Sequence, residues 1–223
     1  MSDPIQEVPG AVAQFLDDVA DRARVRARDR VGGLRRRYPD STRRELADRL
    51  VKSFSRRAGL GGAATGALSL LSLPLGLPAG VALTLGIEAE LLLALLELYD
   101  VDTSGSAGRV KLYALWAGSG LADAAKSVGL VMGADALGVV LAGTLPARLI
   151  GRLNPALVKL VLRRLGLGWM PKVMKLWPII GAPIGYVVDS TALRTLGIGA
   201  IATLESVVAA KAADAAVVEA PVA

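Results

Sequence analysis

The chain has 223 residues, of which 53% are hydrophobic before its 25 glycines are counted, and its mean hydropathy is +0.49. That is enough chain to bury a core without disulfides or metal, and the apolar excess calls for membrane contact or very close helix packing. Cysteine and histidine are both absent, which excludes disulfides, thiolate zinc sites and all catalysis or metal binding that needs an imidazole.

Charge is unevenly placed. Residues 1–57 carry 14 basic and nine acidic side chains, net +5, whereas residues 58–223 carry 12 and 11. Met1 to Gly10 contains Asp3 and Glu7 and no basic stretch ahead of an apolar run, so a signal peptide is not expected and the chain reads as cytoplasmic.

Residues 11–31 have the pattern of a charged amphipathic helix, with Val12, Phe15, Leu16, Val19 and Ala23 near helical spacing. Gly32-Gly33 and a basic stretch follow, closing a basic N-terminal helical arm over residues 1–38. Pro39-Asp40-Ser41 is a turn. Thr42-Arg43-Arg44-Glu45 fits a capping box and opens a helix with Leu46, Leu50, Val51 and Phe54 on one face, ending at Arg56-Arg57.

No charge then occurs from Ala58 to Ile87. A continuous helix of that length would extend about 45 Å, but Pro74 and Pro78 break it into a helix–turn–helix hairpin. The first half, Ala58–Leu73, is shorter than the roughly 20 residues of a simple span. The second half continues through Glu88, Glu90 and Glu97 to Tyr99. Asp100 to Gly108 is a polar loop, and residues 109–117 and 121–145 read as helices. Asn154-Pro155 marks a helix start and Arg163-Arg164-Leu165-Gly166 its end. Pro171 opens a short helix that Trp177-Pro178 ends. Residues 183–209 form a long last helix, and the Ala/Val-rich stretch 206–223 is expected to be a disordered tail. The fold class is therefore all-α: a compact multi-helix bundle with a Gly/Pro-broken apolar hairpin and a long C-terminal helix, its main domain covering residues 39–205.

Three glycine pairs at four-residue spacing, Gly62/Gly66, Gly129/Gly133 and Gly181/Gly185, would let helix backbones approach closely. The carboxylates in apolar surroundings are Glu88, Glu90, Glu97, Asp123, Asp135 and Asp189, and such groups are costly and often functional. Glu90, Glu97, Asp135, Asp189 and Arg194 form the candidate polar cluster. Glu90 and Glu97, seven residues apart, share a helix face and offer hard oxygen ligands. A solvated groove, or pairing with Arg109, Lys111, Lys126 or Arg194, accounts for these acids more simply, so no metal or cofactor is expected. Asp189, near the start of the last helix, reads as a cap or an ion-pair partner of Arg194. Gly59-Leu60-Gly61-Gly62 follows a helix and lacks Gly-Lys-Ser/Thr, so it is not a phosphate loop. The Arg-rich arm has acids interleaved and no aromatic platform, so it reads first as a solvated helix face, then as a contact for lipid headgroups, and nucleic acid is not expected.

Three segments carry a resemblance: Gly61-Gly62 through Leu73-Pro74-Leu75-Gly76-Leu77-Pro78-Ala79; Leu96-Glu97-Leu98-Tyr99-Asp100-Val101-Asp102; and Trp177-Pro178-Ile179-Ile180-Gly181 through Gly185, Asp189, Thr191 and Gly197. In order and spacing they are similar to the bacterial EcsC-like family over roughly residues 40–205. The departures are Gly80 where that family often has Asp, Glu88 and Glu90 where Gln and Arg are usual, and Asp100 where Gly is usual. The resemblance implies an α-helical, membrane-associated bacterial protein without a defined reaction.

Three kinds of function follow as expectations. The first is a non-enzymatic structural or regulatory protein at the inner face of the cell membrane, with the hairpin docked and the basic arm on anionic headgroups. The second is a soluble helical interaction or oligomerisation module, a homo-oligomer included. The third, less favoured, is a carboxylate-dependent enzyme using Glu90, Glu97 and Asp189.

Overall fold

The computed structural model describes residues 10–67, 79–118, 121–127, 129, 136–143, 146–164 and 181–218. They form eight helices and no strand: α1 (Gly10–Arg37), α2 (Arg43–Ala67), α3 (Ala79–Leu98), α4 (Gly105–Ala117), α5 (Leu121–Ser127), α6 (Ala136–Ala142), α7 (Ala147–Arg164) and α8 (Gly181–Val218). The all-α class and the long C-terminal helix are as expected. Pro74, Pro78, Pro171, Trp177, Gly133 and Asp135 lie outside the described residues.

The centre is α3. Its sequence is rich in Ala, Leu and Glu, all strong helix formers, and it is apolar on every side, the pattern of a helix enclosed by others. From residue 89 to residue 96 no residue is more than 2% exposed. Helix α1 lies along α3 on one side and α2 on another, and α2 in turn makes the most extensive packing of the molecule with α8. Helix α4 joins this layer to α7.

Helix α1 is not a separate arm. Its Leu16, Ala20, Ala23, Ala27 and Val31 recur every three or four residues and are all buried; their small size brings the backbone close to α3. The helix also runs through Gly32-Gly33 rather than ending before them. Glycine inside a helix costs about 1 kcal/mol, and the last turn is held elsewhere, by Arg35 donating to the carbonyl of Leu98 at 3.2 Å. Pro39 ends it, because the residue before a proline is disfavoured in helical conformation.

The capping box at α2 is present in both directions: the Thr42 amide donates to Glu45 Oε2 at 2.9 Å and the Glu45 amide to Thr42 Oγ1 at 3.2 Å. Leu46, Leu50, Val51 and Phe54 are buried on one face. The helix passes Arg56-Arg57 and continues to Ala67. Those arginines sit mid-helix because Arg57 has a partner on α3, described below.

Helix α3 ends in a Schellman motif. The Val101 amide donates to the Leu96 carbonyl at 2.9 Å and the Asp100 amide to the Glu97 carbonyl at 3.2 Å, with Asp100 left-handed at φ 56°. This is the usual place for glycine. An aspartate tolerates it and here gains ion pairs from Arg35 at 3.1 Å and Arg43 at 2.8 Å.

Several boundaries differ from expectation. The loop after Asp100 is shorter, since α4 starts at Gly105; a Cβ on Gly108 would collide with the Thr103 backbone, so the chain turns there only with glycine. Residues 121–145 are not one helix. Gly129 is left-handed at φ 75° with nothing near its Cβ direction; it is a stop after α5 and not a packing glycine. Asn154-Pro155 lies inside α7, which begins after Pro146. Burial of Leu153, Leu157 and Val158 on both sides of the proline outweighs the lost backbone bond, and Asn154 Oδ1 is buried without a partner. The stretch from Ser206 stays helical to Val218. Gly62, Gly66, Gly181 and Gly185 fall within α2 and α8, and their surroundings lie outside the described residues.

The close approach between α2 and α8 is made at Gly197. A Cβ there would lie 2.6 Å from Val51 Cγ2 and 3.4 Å from Leu91 Cδ2. Val51 is β-branched and stiff. Gly197→Ala is therefore expected to destabilise the protein by about 1–3 kcal/mol in urea denaturation. Adding Val51→Ala, which removes the colliding methyl groups, should recover part of the loss; a double variant with strictly additive losses would contradict this packing.

Candidate functional site

The polar features of the protein are built around one buried carboxylate. Glu90 sits mid-way along α3 with its side chain 3% exposed. An unpaired charge in that position would be prohibitive, and three guanidinium groups meet it. Arg26 Nε donates to Oε2 at 2.9 Å. Arg30 Nε donates to Oε1 at 3.0 Å and Arg57 Nη1 to the same oxygen at 3.3 Å. Arg26 and Arg30 are one turn apart on α1, and Arg57 comes from α2, so the carboxylate ties three helices. Arg30 and Arg57 also flank the buried Phe54 ring, at 4.8 and 5.2 Å from its centroid, where the ring quadrupole favours cations. Burial pushes the Glu90 carboxyl up, but the Arg26 hydrogen bond and the charges of Arg57 and Arg30 outweigh it and hold the group below its ordinary range. Glu90 is thus an anion at neutral pH with both oxygens occupied.

The other acids follow the same logic. Glu97 lies 3.6 Å from Arg28. Glu205 of α8 pairs with Arg44 at 2.7 Å and accepts from Tyr99 Oη at 3.4 Å; burial, then the Glu205 charge, pushes the Tyr99 hydroxyl up to about 12. Asp17 accepts from the buried Tyr113 hydroxyl at 2.9 Å, with Arg109 3.6 Å away; burial foremost pushes Tyr113 well up. Glu88 accepts from Trp116 Nε1 at 2.6 Å. Lys111, buried between the Asp102 carbonyl at 2.9 Å and Gly143, is pushed down by burial. Among the described residues the expected partners Lys111 and Arg194 serve none of these carboxylates, and arginines of α1, α2 and α4 do instead.

The candidate cluster does not converge. Glu90 and Glu97 both face α1, but through different arginines. Asp189 is half-buried on α8, pushed up by burial alone, and among the described residues it makes no ion pair with Arg194. Asp135 and the Asp123 side chain lie outside the described residues. Among the described residues no group of three acidic side chains could hold a metal ion.

Sequence reasoning missed a groove of about 590 Å3 between α2 and α8. Lys52 and Arg56, four residues apart on α2, line it with Arg194 and Thr191, three apart on α8, and with Ser55 and Asp48. The helical spacings were visible in the sequence; the apposition of the two helices was not. Asp48 is bound to Arg44 at 3.2 Å.

No protein-family model, curated protein or solved structure matches this chain.

Removing the Glu90 charge leaves three guanidinium groups facing one another. They are 33–50% exposed, so water offsets part of the loss, and Glu90→Gln is expected to cost about 2 kcal/mol at pH 7. Because the folded pKa is lowered, this contribution is complete above the unfolded glutamate value of about 4.3 and fades as pH falls through the folded value. Urea midpoints of the two proteins should differ by a constant amount from pH 5 to 8 and draw together below about pH 4.

Proposed function

We propose that the protein is a non-enzymatic, peripheral membrane protein, an outlying relative of the EcsC-like family, that docks on anionic lipid at the inner face of the cell membrane by the end of its α2–α3 hairpin. The observation that carries this reading is the change in burial along the hairpin. Its base is enclosed by protein, whereas Leu60 is 66% and Leu83 45% exposed. These two leucines belong to the same end, since the Cβ direction of Gly61 points at Leu83. The sequence between them carries no charge. Arg56 stands one turn before Leu60, with Lys52 and Arg194 beside it. Apolar tips ringed by cations suit a headgroup boundary, each cation contributing about 1 kcal/mol near an anionic surface.

The structure changes which cations this reading uses. Arg26, Arg28, Arg30, Arg35, Arg43, Arg44 and Arg57 are engaged by acids within the fold, so the reading rests on cations other than these. Segment Asp189–Ala213 of α8 is the one described stretch long and apolar enough to cross a bilayer, with mean hydropathy 1.5 and 33% burial. Its Glu205 is bound to Arg44 and Tyr99, an arrangement that supports α8 lying along α2 rather than spanning.

A second reading, a soluble interaction or oligomerisation module, is favoured by the exposed Ile198 and Val208 on α8, which a second copy would cover.

Flotation with vesicles separates the two. The wild type is expected to float with phosphatidylglycerol-containing vesicles and to do so less at high salt. Leu60→Asp with Leu83→Asp should abolish flotation without lowering the melting temperature, because both side chains are exposed. A wild type that stays in the bottom fraction with every lipid, and forms a discrete oligomer by light scattering, supports the second reading instead.

A further inference from the structure

The groove between α2 and α8 gathers three cations on one surface. Lys52, Arg56 and Arg194 line it, and among the described residues none of the three lies within ion-pair distance of a carboxylate. Its lining acid, Asp48, is turned to Arg44 at 3.2 Å. Elsewhere most arginines of α1 and α2 meet an acid, three of them Glu90 alone, and Arg37 and Arg49 lie over the Tyr38 ring. Three cations left beside one another repel, and an anion between them relieves the repulsion.

A second observation points the same way. Ser55 lies on the groove between Lys52 and Arg56, is 8% exposed, and its Oγ has no hydrogen-bond partner. Buried hydroxyls in native proteins are almost always satisfied, so this donor awaits an acceptor. Thr191, one turn before Arg194, supplies another hydroxyl on the facing helix. Two guanidinium forks, one ammonium and hydroxyl donors are the groups that bind phosphate oxygens. The volume of about 590 Å3 is that of a small-molecule site.

We infer that the α2–α8 groove, lined by Lys52, Ser55, Arg56, Thr191 and Arg194, binds a phosphomonoester-like dianion, borne by a small solute or by a lipid headgroup. The lipid source rests on the membrane-docking reading; the phosphoryl chemistry does not.

Two probes test this. The first is inorganic phosphate, titrated by calorimetry at constant ionic strength. The second is flotation with phosphatidylcholine vesicles with and without phosphatidic acid. Arg56→Gln and Arg194→Gln are exposed changes that leave the core intact, and Arg22→Gln on α1 serves as control. Saturable phosphate binding that each groove variant weakens by about ten-fold, with the control unchanged, supports the site with a solute source. Phosphatidic acid-dependent flotation lost in both groove variants supports it with a headgroup source. Groove variants that bind both probes like the wild type overturn it, as does a wild type that binds neither. The two readings fail separately. Phosphate binding in a wild type that never floats leaves the groove and removes the membrane. Flotation that survives in the groove variants but is lost in Leu60→Asp with Leu83→Asp leaves the membrane and removes the groove.

Discussion

A single buried carboxylate organises this protein. Helix α3 is so uniformly apolar that little else along it could define which face meets α1 and which meets α2; sliding or rotating an all-Leu surface changes burial only slightly. Glu90 removes that freedom. Its two oxygens are placed to accept from Arg26 and Arg30 on one helix and Arg57 on another, so one arrangement of three helices satisfies it and neighbouring registers leave it unpaired. Against a hydrophobic side chain of the same size the net stability of such a cluster is small, because desolvation opposes the Coulombic gain. Its consequence is selection of the register, since a misaligned Glu90 would be a bare charge in the core.

The same cluster decides how the basic N-terminal third of the chain behaves. Read as a list of charges, residues 1–57 look like a polycationic arm. Folded, they supply counterions: Arg28 to Glu97, Arg35 and Arg43 to Asp100, Arg44 to Glu205. The acids they meet lie beyond residue 87, where the chain is nearly neutral overall. The imbalance between the two halves of the sequence is thus, in large part, an imbalance between two sides of one set of ion pairs.

What could be read from the sequence was what short-range chemistry dictates. The Thr42–Glu45 capping box and the stripe Leu46, Leu50, Val51, Phe54 each depend on residues within a few turns, and each is present as expected. What could not be read depends on long separations or on competing local meanings. The partners of Glu90 are 33 to 64 residues away, and no spacing rule reaches them. Glycine carries two meanings: Gly129 terminates a helix, while the close approach expected of paired glycines falls on Gly197, which has no four-residue companion in those pairs. Pro155 reads as a helix start by local rule, and burial of the leucines around it overrides the rule. Within the candidate polar cluster, Glu90 binds three helices together.

The hairpin that dominates the hydropathy of the chain therefore has two parts with different burial. From Leu85 onward α3 packs against α1, α2, α4 and α8. At Leu60 and Leu83 that cover is gone, while the sequence remains uncharged between them. A protein that needed the whole run as a core would not leave large apolar side chains at its end beside three unmatched cations. Nor would one that needed the whole run in a bilayer place Glu90 in the middle of its second helix, held by three arginines. Each half of the run answers to a different constraint, and the boundary between them is set by Glu90 and Arg57, the last charged pair before the apolar end.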